Sequence, residues 1–299
     1  MRIKKAFRRL AAIFVRACFL LVKNPGLLAR KTVAKVLLLL PAPRRQVVRV
    51  REGVRFPFDC RYDRAVEWMY RGAYEIEVVD AMRGILKRGD TFIDVGANIG
   101  YDSFIAASIV GPTGHVHAFE PVDEYYERLA EFARMNPGFD IITNNCALGD
   151  RPGTAEISVS DYHNIGWNTM VPGLMARRML LETRETTIER LDDYIDQRRL
   201  GPLSLIKIDT EGYELPVLEG LGRYLDGSGD RPSIICEVNP EAYPRLGRTL
   251  GELSAYLGRY SYRAFDLIAR GREVNIMKIT VNTNILLVSE TSAYGRRKG

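Results

Sequence analysis

The sequence predicts an α/β fold, a sheet of short strands with helices on both faces, preceded by a basic helical extension. Three observations predict it. From Thr91 onward, short apolar runs alternate with stretches of helical period, the pattern of a sheet buried on both sides. The first run ends in a Gly-x-x-x-Gly turn, Gly96 to Gly100, and the second ends on an acid, Glu120. The charge is also split. Residues 1–51 hold 14 Lys/Arg and no Asp/Glu, whereas the rest holds 29 against 37. The net +6 of the 299-residue chain therefore belongs to an arm, and the body is acidic. An acidic body argues against nucleic acid as a partner. Four scattered cysteines without a Cys-x-x-Cys pair fit a reduced, cytoplasmic compartment. Three histidines are too few for a histidine-rich zinc site.

The arm, residues 1–45, opens as an amphipathic helix. Ile3, Phe7, Leu10, Phe14, Cys18 and Leu21 share one face, and Arg2, Lys5, Arg8, Arg9, Arg16 and Lys23 the other. Asn24-Pro25-Gly26 ends or turns it, and a second segment runs from Leu27 to Pro41. Neither segment has the roughly 18 uninterrupted apolar residues of a membrane span. A basic amphipathic helix with phenylalanines on its apolar face reads as an anchor on anionic lipid. That reading places the protein in the cytoplasm, peripheral on the inner face of the cell membrane. The alternatives are a helix packed on the body or on a second subunit, as in a homodimer, and a cleaved or translocating segment.

Residues 46–90 are a lead-in. Residues 44–60 read as a hairpin turning at Gly53, followed by helices over Tyr62–Gly72 and 74–86. The core, residues 91–290, follows in order. Strands are expected at Thr91–Val95, His115–Phe119, Asp140–Asn145, Thr154–Ser158, Ser204–Ile208, Ser233–Val238, Tyr262–Ile268 and Thr283–Val288. Helices are expected at Asn98–Val110, Asp123–Met135, Thr187–Gln197, Leu215–Leu225 and Leu250–Leu257. Such sheets bind ligands beyond the carboxyl ends of their strands, where strand order reverses.

Two cofactor classes suit a strand, a glycine turn and an acid at the next strand end. Gly96 permits a close backbone approach. Glu120, 24 positions later, can accept both hydroxyls of a ribose. A nicotinamide oxidoreductase shares this layout, but its fingerprint wants Gly-x-Gly-x-x-Gly, and Gly96-Ala97-Asn98-Ile99-Gly100 lacks that spacing. Asp94 suits the sulfonium and amino group of S-adenosylmethionine better than a phosphate. A noncatalytic membrane-associated module on the same fold is a further alternative.

The ordered motifs DTFIDVGANIG, HAFEP, NNCALGD, LIKIDTEGYELPVLEG and IICEVNP resemble those of the FkbM-type methyltransferases. Gly72-Ala73-Tyr74-Glu75 is similar to the short motif before that family's first strand. The resemblance covers residues 70 to 289 and leaves the arm outside. It implies a Rossmann-like seven-stranded sheet and an S-adenosylmethionine-dependent O-methyltransferase. The implied acceptor is a hydroxyl of a sugar, glycolipid or other secondary metabolite. It also implies that Asp94, Gly96, Asn98 and Gly100 border the methionine end of the cofactor and that Glu120 holds the ribose. Asn145, Cys146 and Ala147 would lie by the adenine. Cys146 reads as a wall thiol, since methyl transfer needs no covalent step.

Methyl transfer to a hydroxyl needs in-line approach, exclusion of water and removal of a proton. Asp209 sits at a strand tip, the reacting side of such a sheet, and Glu237 ends the next strand. The two are expected to converge, as general base or as holders of the acceptor. His163, in the loop 160–175, is the rival base. Lys207 alternates with Asp209, and the pair shares a face only if the strand runs on to Asp209. Lys207 to Glu211 also reads as a purely structural ion-pair network. Glu214 is expected to cap the next helix. Trp68, Tyr70, Tyr162, Trp167 and Met170 are candidates for the acceptor wall. Asp209, Glu237 and Asn239 are oxygen donors of the kind Mg²⁺ accepts, but no dense acidic cluster is visible, so the expectation is metal-free catalysis.

Overall fold

The structure, a computed structural model, describes residues 25–37, 45–50, 53–60, 64–161, 165–227, 229–269 and 271–296. The expected helix over residues 1–23 and His163 lie outside the described residues, as does Tyr162.

The lead-in folds much as its sequence indicates. β1 (Arg45–Arg49) and β2 (Arg55–Asp59) pair antiparallel, turning at Gly53. α2 (Arg64–Tyr70) and α3 (Ile76–Ile85) follow. Phe56 and Phe58 of β2 are buried and face Phe104 and Phe132 across ring centroid distances of 5.0–6.3 Å. This aromatic cluster ties the hairpin to the core. The second arm segment forms α1 (Pro25–Leu37), with proline at its first position. It packs on the body: Leu27 is buried against Ile76 and Ile268. Arg30 reaches Asp80 at 2.6 Å and Lys31 reaches Glu77 at 2.7 Å. No helix among the described residues is long and apolar enough to cross a membrane.

The core is a seven-stranded sheet built from β3 (Thr91–Val95), β4 (His115–Phe119), β5 (Asp140–Asn144), β9 (Leu205–Ile208), β10 (Ser233–Val238), β11 (Tyr262–Asp266) and β12 (Thr283–Ser289), in the order β11-β12-β10-β9-β3-β4-β5. β12 alone runs antiparallel to its neighbours. The chain steps outward from β3 to β5, then returns to β9 on the other side of β3. The order therefore reverses between β3 and β9. Helices α4 (Tyr101–Val110), α5 (Asp123–Arg134), α6 (Leu191–Arg198) and α9 (Leu250–Arg259) cover the faces.

Alternation along the central strands sorts their side chains. Phe92, Leu205 and Ile235 enter the core layer that contains the aromatic cluster. Ile93, Val95, Ile206, Ile208, Cys236 and Val238 enter the opposite layer. By the same period of two, Asp94, Lys207 and Glu237 fall on the first face. Asp94 and Lys207 are direct partners in the β3–β9 register.

Four local expectations are corrected. The helix expected from Asn98 starts at Tyr101, because Asn98 and Gly100 have φ of 52° and 88° and form a turn. The helix expected from Thr187 starts at Leu191. Residues before it form a strand, β8 (Leu180–Glu189), paired antiparallel with β7 (Gly153–Ser160) and in parallel with β6 (Ala147–Leu148). The alternation in Thr183–Glu189 was a strand signal. The strand expected over Asp140–Asn145 ends at Asn144. The helix expected over Leu215–Leu225 divides into α7 (Glu214–Glu219) and α8 (Gly222–Asp226). The Gly220 carbonyl leaves the helical ladder to accept from the Asp192 N–H at 3.0 Å.

Candidate active site

A cavity opens at the carboxyl ends of β3, β4, β9 and β10, at the reversal of strand order. Its two ends are built differently.

At one end the chain leaves β3 through Gly96 (φ 81°). A Cβ there would stand 1.9 Å from the Asp209 carbonyl oxygen. The close approach anticipated for Gly96 is thus to the tip of β9, and it locks the two halves of the cavity together. Asn98 lines the cavity, and its amide side chain donates to the Ile165 carbonyl, pinning the 165–170 loop over the site. Glu120 ends β4 with both oxygens engaged. Oε2 accepts from the Asn98 N–H and Oε1 from the Val122 N–H, each at 2.8 Å. Burial pushes this carboxyl up to about 7, although the two N–H donors pull the other way. Cys146 and Ala147 complete the wall. Burial and then Glu189 push the Cys146 thiol up to about 12, which suits a wall and not a nucleophile.

Three positions implied for this end sit elsewhere. Asp94 does not line the cavity. It lies behind it, fully buried, with Oδ2 accepting from Ser103 Oγ at 2.6 Å and Oδ1 without a partner. Gly100 lies against α5, where a Cβ would meet Leu129 at 2.8 Å, so it serves helix packing. Asn145 is exposed and donates to Asp123 Oδ1 at 2.7 Å, just past the strand end where alternation no longer aims it inward.

The other end gathers carboxylates around one ammonium. Lys207, 3% exposed, donates to Asp209 Oδ2 at 2.8 Å and pairs with Asp102 Oδ2 at 3.1 Å. β9 stops at Ile208, so the Asp209 side chain curls back to reach Lys207 instead of sharing its face by alternation. Burial alone would lower the lysine. Asp209, Asp102, Glu75 and Asp94 outweigh it and hold it well above its ordinary value. Glu237 projects from β10, 9% exposed, with Oε2 meeting no donor. Burial first, then Asp209 and Glu211, push its carboxyl well above the usual range. Asp209, Glu211 and Glu237 present oxygens within 4.8 Å of one another. Such a cluster is invisible in sequence because it assembles from two strand ends. Asn239 is not part of it, and its Oδ1 accepts from the Glu241 N–H.

Sequence reasoning gave no role to Glu75, which lines the cavity beside Tyr74. Glu75 has φ 38° and a buried Oε2 without a partner. Burial raises its carboxyl to about 8, with Lys207 opposing. An acid closing the Gly72-Ala73-Tyr74-Glu75 motif was the available signal. Asp102 was missed because it reads as the first turn of a helix. Glu211 reaches about 9 through burial and the neighbouring Asp209. Glu214 does not cap α7. Its Oε1 reaches back to the Gly212 N–H at 2.8 Å and to Thr210, holding the loop after β9. Met170 lines the cavity, as does Met69, whereas Trp167 is 55% exposed and Trp68 and Tyr70 stand outside the lining.

Residues 94–264 match the family described as the methyltransferase FkbM domain, more than half of the chain. The chain belongs to this family. The cofactor of such a methyltransferase domain is S-adenosylmethionine, which argues against the nicotinamide alternative. The chain is similar to 31-O-demethyl-FK506 methyltransferase FkbM of Streptomyces tacrolimicus, 29% identical over 168 residues, 46% of this chain and 61% of that one. It is also similar to hexuronic acid methyltransferase AglP of Haloferax volcanii, 24% identical over 172 residues, 57% and 65% of the two chains. The chain spans less than two thirds of the length of the curated relatives it matches. Among solved structures, methyltransferase FkbM of Methylobacillus flagellatus KT is 17% identical with a TM-score of 0.44, covering 75% of this chain and 54% of that one.

Proposed function

We propose that this member of the FkbM methyltransferase family is an O-methyltransferase acting on a hydroxyl of a sugar, glycolipid or other secondary metabolite, and that the arm brings it to the membrane surface. One observation carries the reading: a single cavity holds Glu120 at one end and the Lys207–Asp209 pair with Glu237 at the other. The donor set fits S-adenosylmethionine. The buried Glu75 oxygen without a partner belongs to a residue that lines the cavity, and it can accept a hydrogen bond from the cofactor's ammonium. When bound, the cofactor supplies an electrophilic methyl carbon.

The chain's own residues do the rest. Glu120 keeps acceptor capacity for ribose hydroxyls beyond its two N–H bonds. Gly96 and Asn98 shape the methionine end, and Cys146 and Ala147 the adenine side. Lys207 anchors one oxygen of Asp209, which leaves Asp209 a second oxygen for the acceptor hydroxyl. Glu237 orients that hydroxyl, and Asp209 draws its proton as the new C–O bond forms. The Asn98–Ile165 bond keeps the 165–170 loop over the reaction, excluding water. Two relatives named for methylating hexuronic acid and demethyl-FK506 support an oxygen-rich acceptor. The +14 charge of residues 1–51 supports a cytoplasmic position on anionic lipid.

Mass spectrometry of small molecules and lipids from a deletion strain tests the activity. A species lighter by one methyl group is expected, and an unchanged profile would remove the reading. Liposome flotation tests the arm: full-length protein should float with anionic vesicles, less so at high salt, and a chain starting at Arg45 should not. Equal behaviour of the two would favour packing of the whole arm on the body or on a second subunit.

A further inference from the structure

We propose that Asp209, Glu211 and Glu237 form a binding site for one divalent, oxygen-preferring cation at the reacting end of the cavity. This departs from the metal-free expectation. The three side chains present oxygens within 4.8 Å of one another. Oxygens on opposite sides of a Mn²⁺ or Ca²⁺ ion stand roughly 4–5 Å apart, twice a metal–oxygen distance. The cluster therefore has the span of a coordination sphere before anything occupies it.

A second observation separates this cluster from acids that merely lie close together. Glu237 is 9% exposed, and its Oε2 is buried with no hydrogen-bond donor. A buried carboxylate oxygen left without a donor costs free energy in any folded protein unless a ligand meets it. The one buried ammonium nearby does not reach it, because Lys207 is already divided between Asp209 and Asp102. Glu214, the next acid along, is no donor to it, and its own Oε1 accepts from the Gly212 and Thr210 N–H groups.

The donor chemistry sets the class of ion. All three ligands are carboxylates, with neither imidazole nor thiolate among them, which selects Mg²⁺, Mn²⁺ or Ca²⁺ over zinc. The buried Cys236 beside Glu237 sits in the opposite core layer and contributes nothing. Three protein ligands leave coordination positions open to the cavity. Resting on the methyl-transfer reading, those positions would take two oxygens of the acceptor, which narrows it to a vicinal diol or an α-hydroxy carboxylate. A chelated acceptor also resolves the repulsion between an oxygen-rich substrate and a wall of carboxylates.

Electron paramagnetic resonance of Mn²⁺ tests the site on the full-length protein, stripped of metals and titrated with MnCl₂. One Mn²⁺ per chain should lose its free signal, and Mg²⁺ should displace it. Glu237→Gln and the less buried Glu211→Gln should each weaken Mn²⁺ at least 10-fold. S-adenosylhomocysteine binding, followed by calorimetry, and the circular dichroism spectrum should be kept. If Glu237→Gln does not fold, Glu211→Gln decides. A folded chain that binds S-adenosylhomocysteine but leaves the Mn²⁺ signal unchanged overturns the cation site and leaves the methyltransferase reading standing. Variants that bind Mn²⁺ as the wild type does also overturn it. A chain that binds Mn²⁺ but not S-adenosylhomocysteine keeps the site and overturns the reading of the acceptor.

Discussion

The two ends of the cavity solve opposite problems with the same residue type. At the β4 tip, Glu120 is a buried carboxylate whose oxygens both accept backbone N–H groups from its own neighbourhood. At the β9 and β10 tips, Asp209, Glu211, Glu237 and Glu75 crowd around one lysine, and two of them keep buried oxygens with no donor. The fold supplies donors to both oxygens at the first end; at the second it leaves buried oxygens without one. On the proposed function, the contrast indicates that local backbone can prepare a binding site for a neutral diol. A site for charged or reacting groups is left electrostatically open, because its complement arrives with the substrate.

The most damaging way to break the comparison is to push the two ends apart. Gly96→Ala would place a Cβ into the Asp209 carbonyl at a positive φ. The loss should be at least the ~1–3 kcal/mol typical of overpacking. Both S-adenosylhomocysteine binding and activity should vanish, as calorimetry and a methyl-transfer assay would show. Retained binding would mean that the ends are not coupled through this contact.

Asp209→Asn should then separate the ends. Methyl transfer is expected to fall by roughly 100-fold or more, the range of general-base contributions, while cofactor affinity and fold persist. Single-turnover measurement checks this, and near-wild-type turnover would pass the role to Glu237 or Glu75. Glu120→Ala is the reciprocal change. It should weaken S-adenosylhomocysteine by about 1–3 kcal/mol, the cost of removing a buried hydrogen-bonding partner. An unchanged dissociation constant would take Glu120 out of the cofactor site.

The gentlest probe is pH, with the protein free of cofactor and divalent ions. Glu75, Glu120 and Glu211 are raised by burial to about 8, 7 and 9. The stability they contribute is fully present below their unfolded pKa near 4.5 and is lost as pH rises through those values. His117 acts in the other direction. Burial lowers it from 6.5 to about 4, so its contribution is present above 6.5 and is lost as pH falls toward 4. Above pH 6.5 the raised carboxyls dominate among the described residues, and the melting temperature should fall between pH 6.5 and 9. Glu75→Gln should flatten that fall. An unchanged slope would mean that the reacting end is not the source of the pH dependence.

The arm offers a second contrast between the residues that pattern alone describes and those that packing decides. Its amphipathic and basic character is legible from residues 1–51. Nothing in Leu27, Arg30 or Lys31 announces that they meet Ile76, Asp80 and Glu77 some 50 residues later. The cofactor motifs were similarly legible only in part. Glu120, Gly96, Asn98, Cys146 and Ala147 reach the cavity wall, whereas Asp94, Gly100 and Asn145 do not.

By itself the sequence determined the strand–helix alternation, the glycine turn, the acids at successive strand tips and the basic arm. Each of these is a local property, fixed by side-chain period, backbone freedom or the sum of charges over a short stretch. Only the tertiary structure decided what the acids do. Asp94 faces α4 because it is one residue short of the strand end, and Asp209 turns back to Lys207 because β9 stops at Ile208. Glu75 and Asp102 join the site from helices that precede and follow β3, and Glu211 meets Glu237 across two strand ends. These relations depend on strand register and on where each strand stops, which side-chain periodicity leaves open. Electrostatic coupling falls off with distance in space, and the sheet brings together charges that the chain keeps up to 162 positions apart (Glu75 to Glu237).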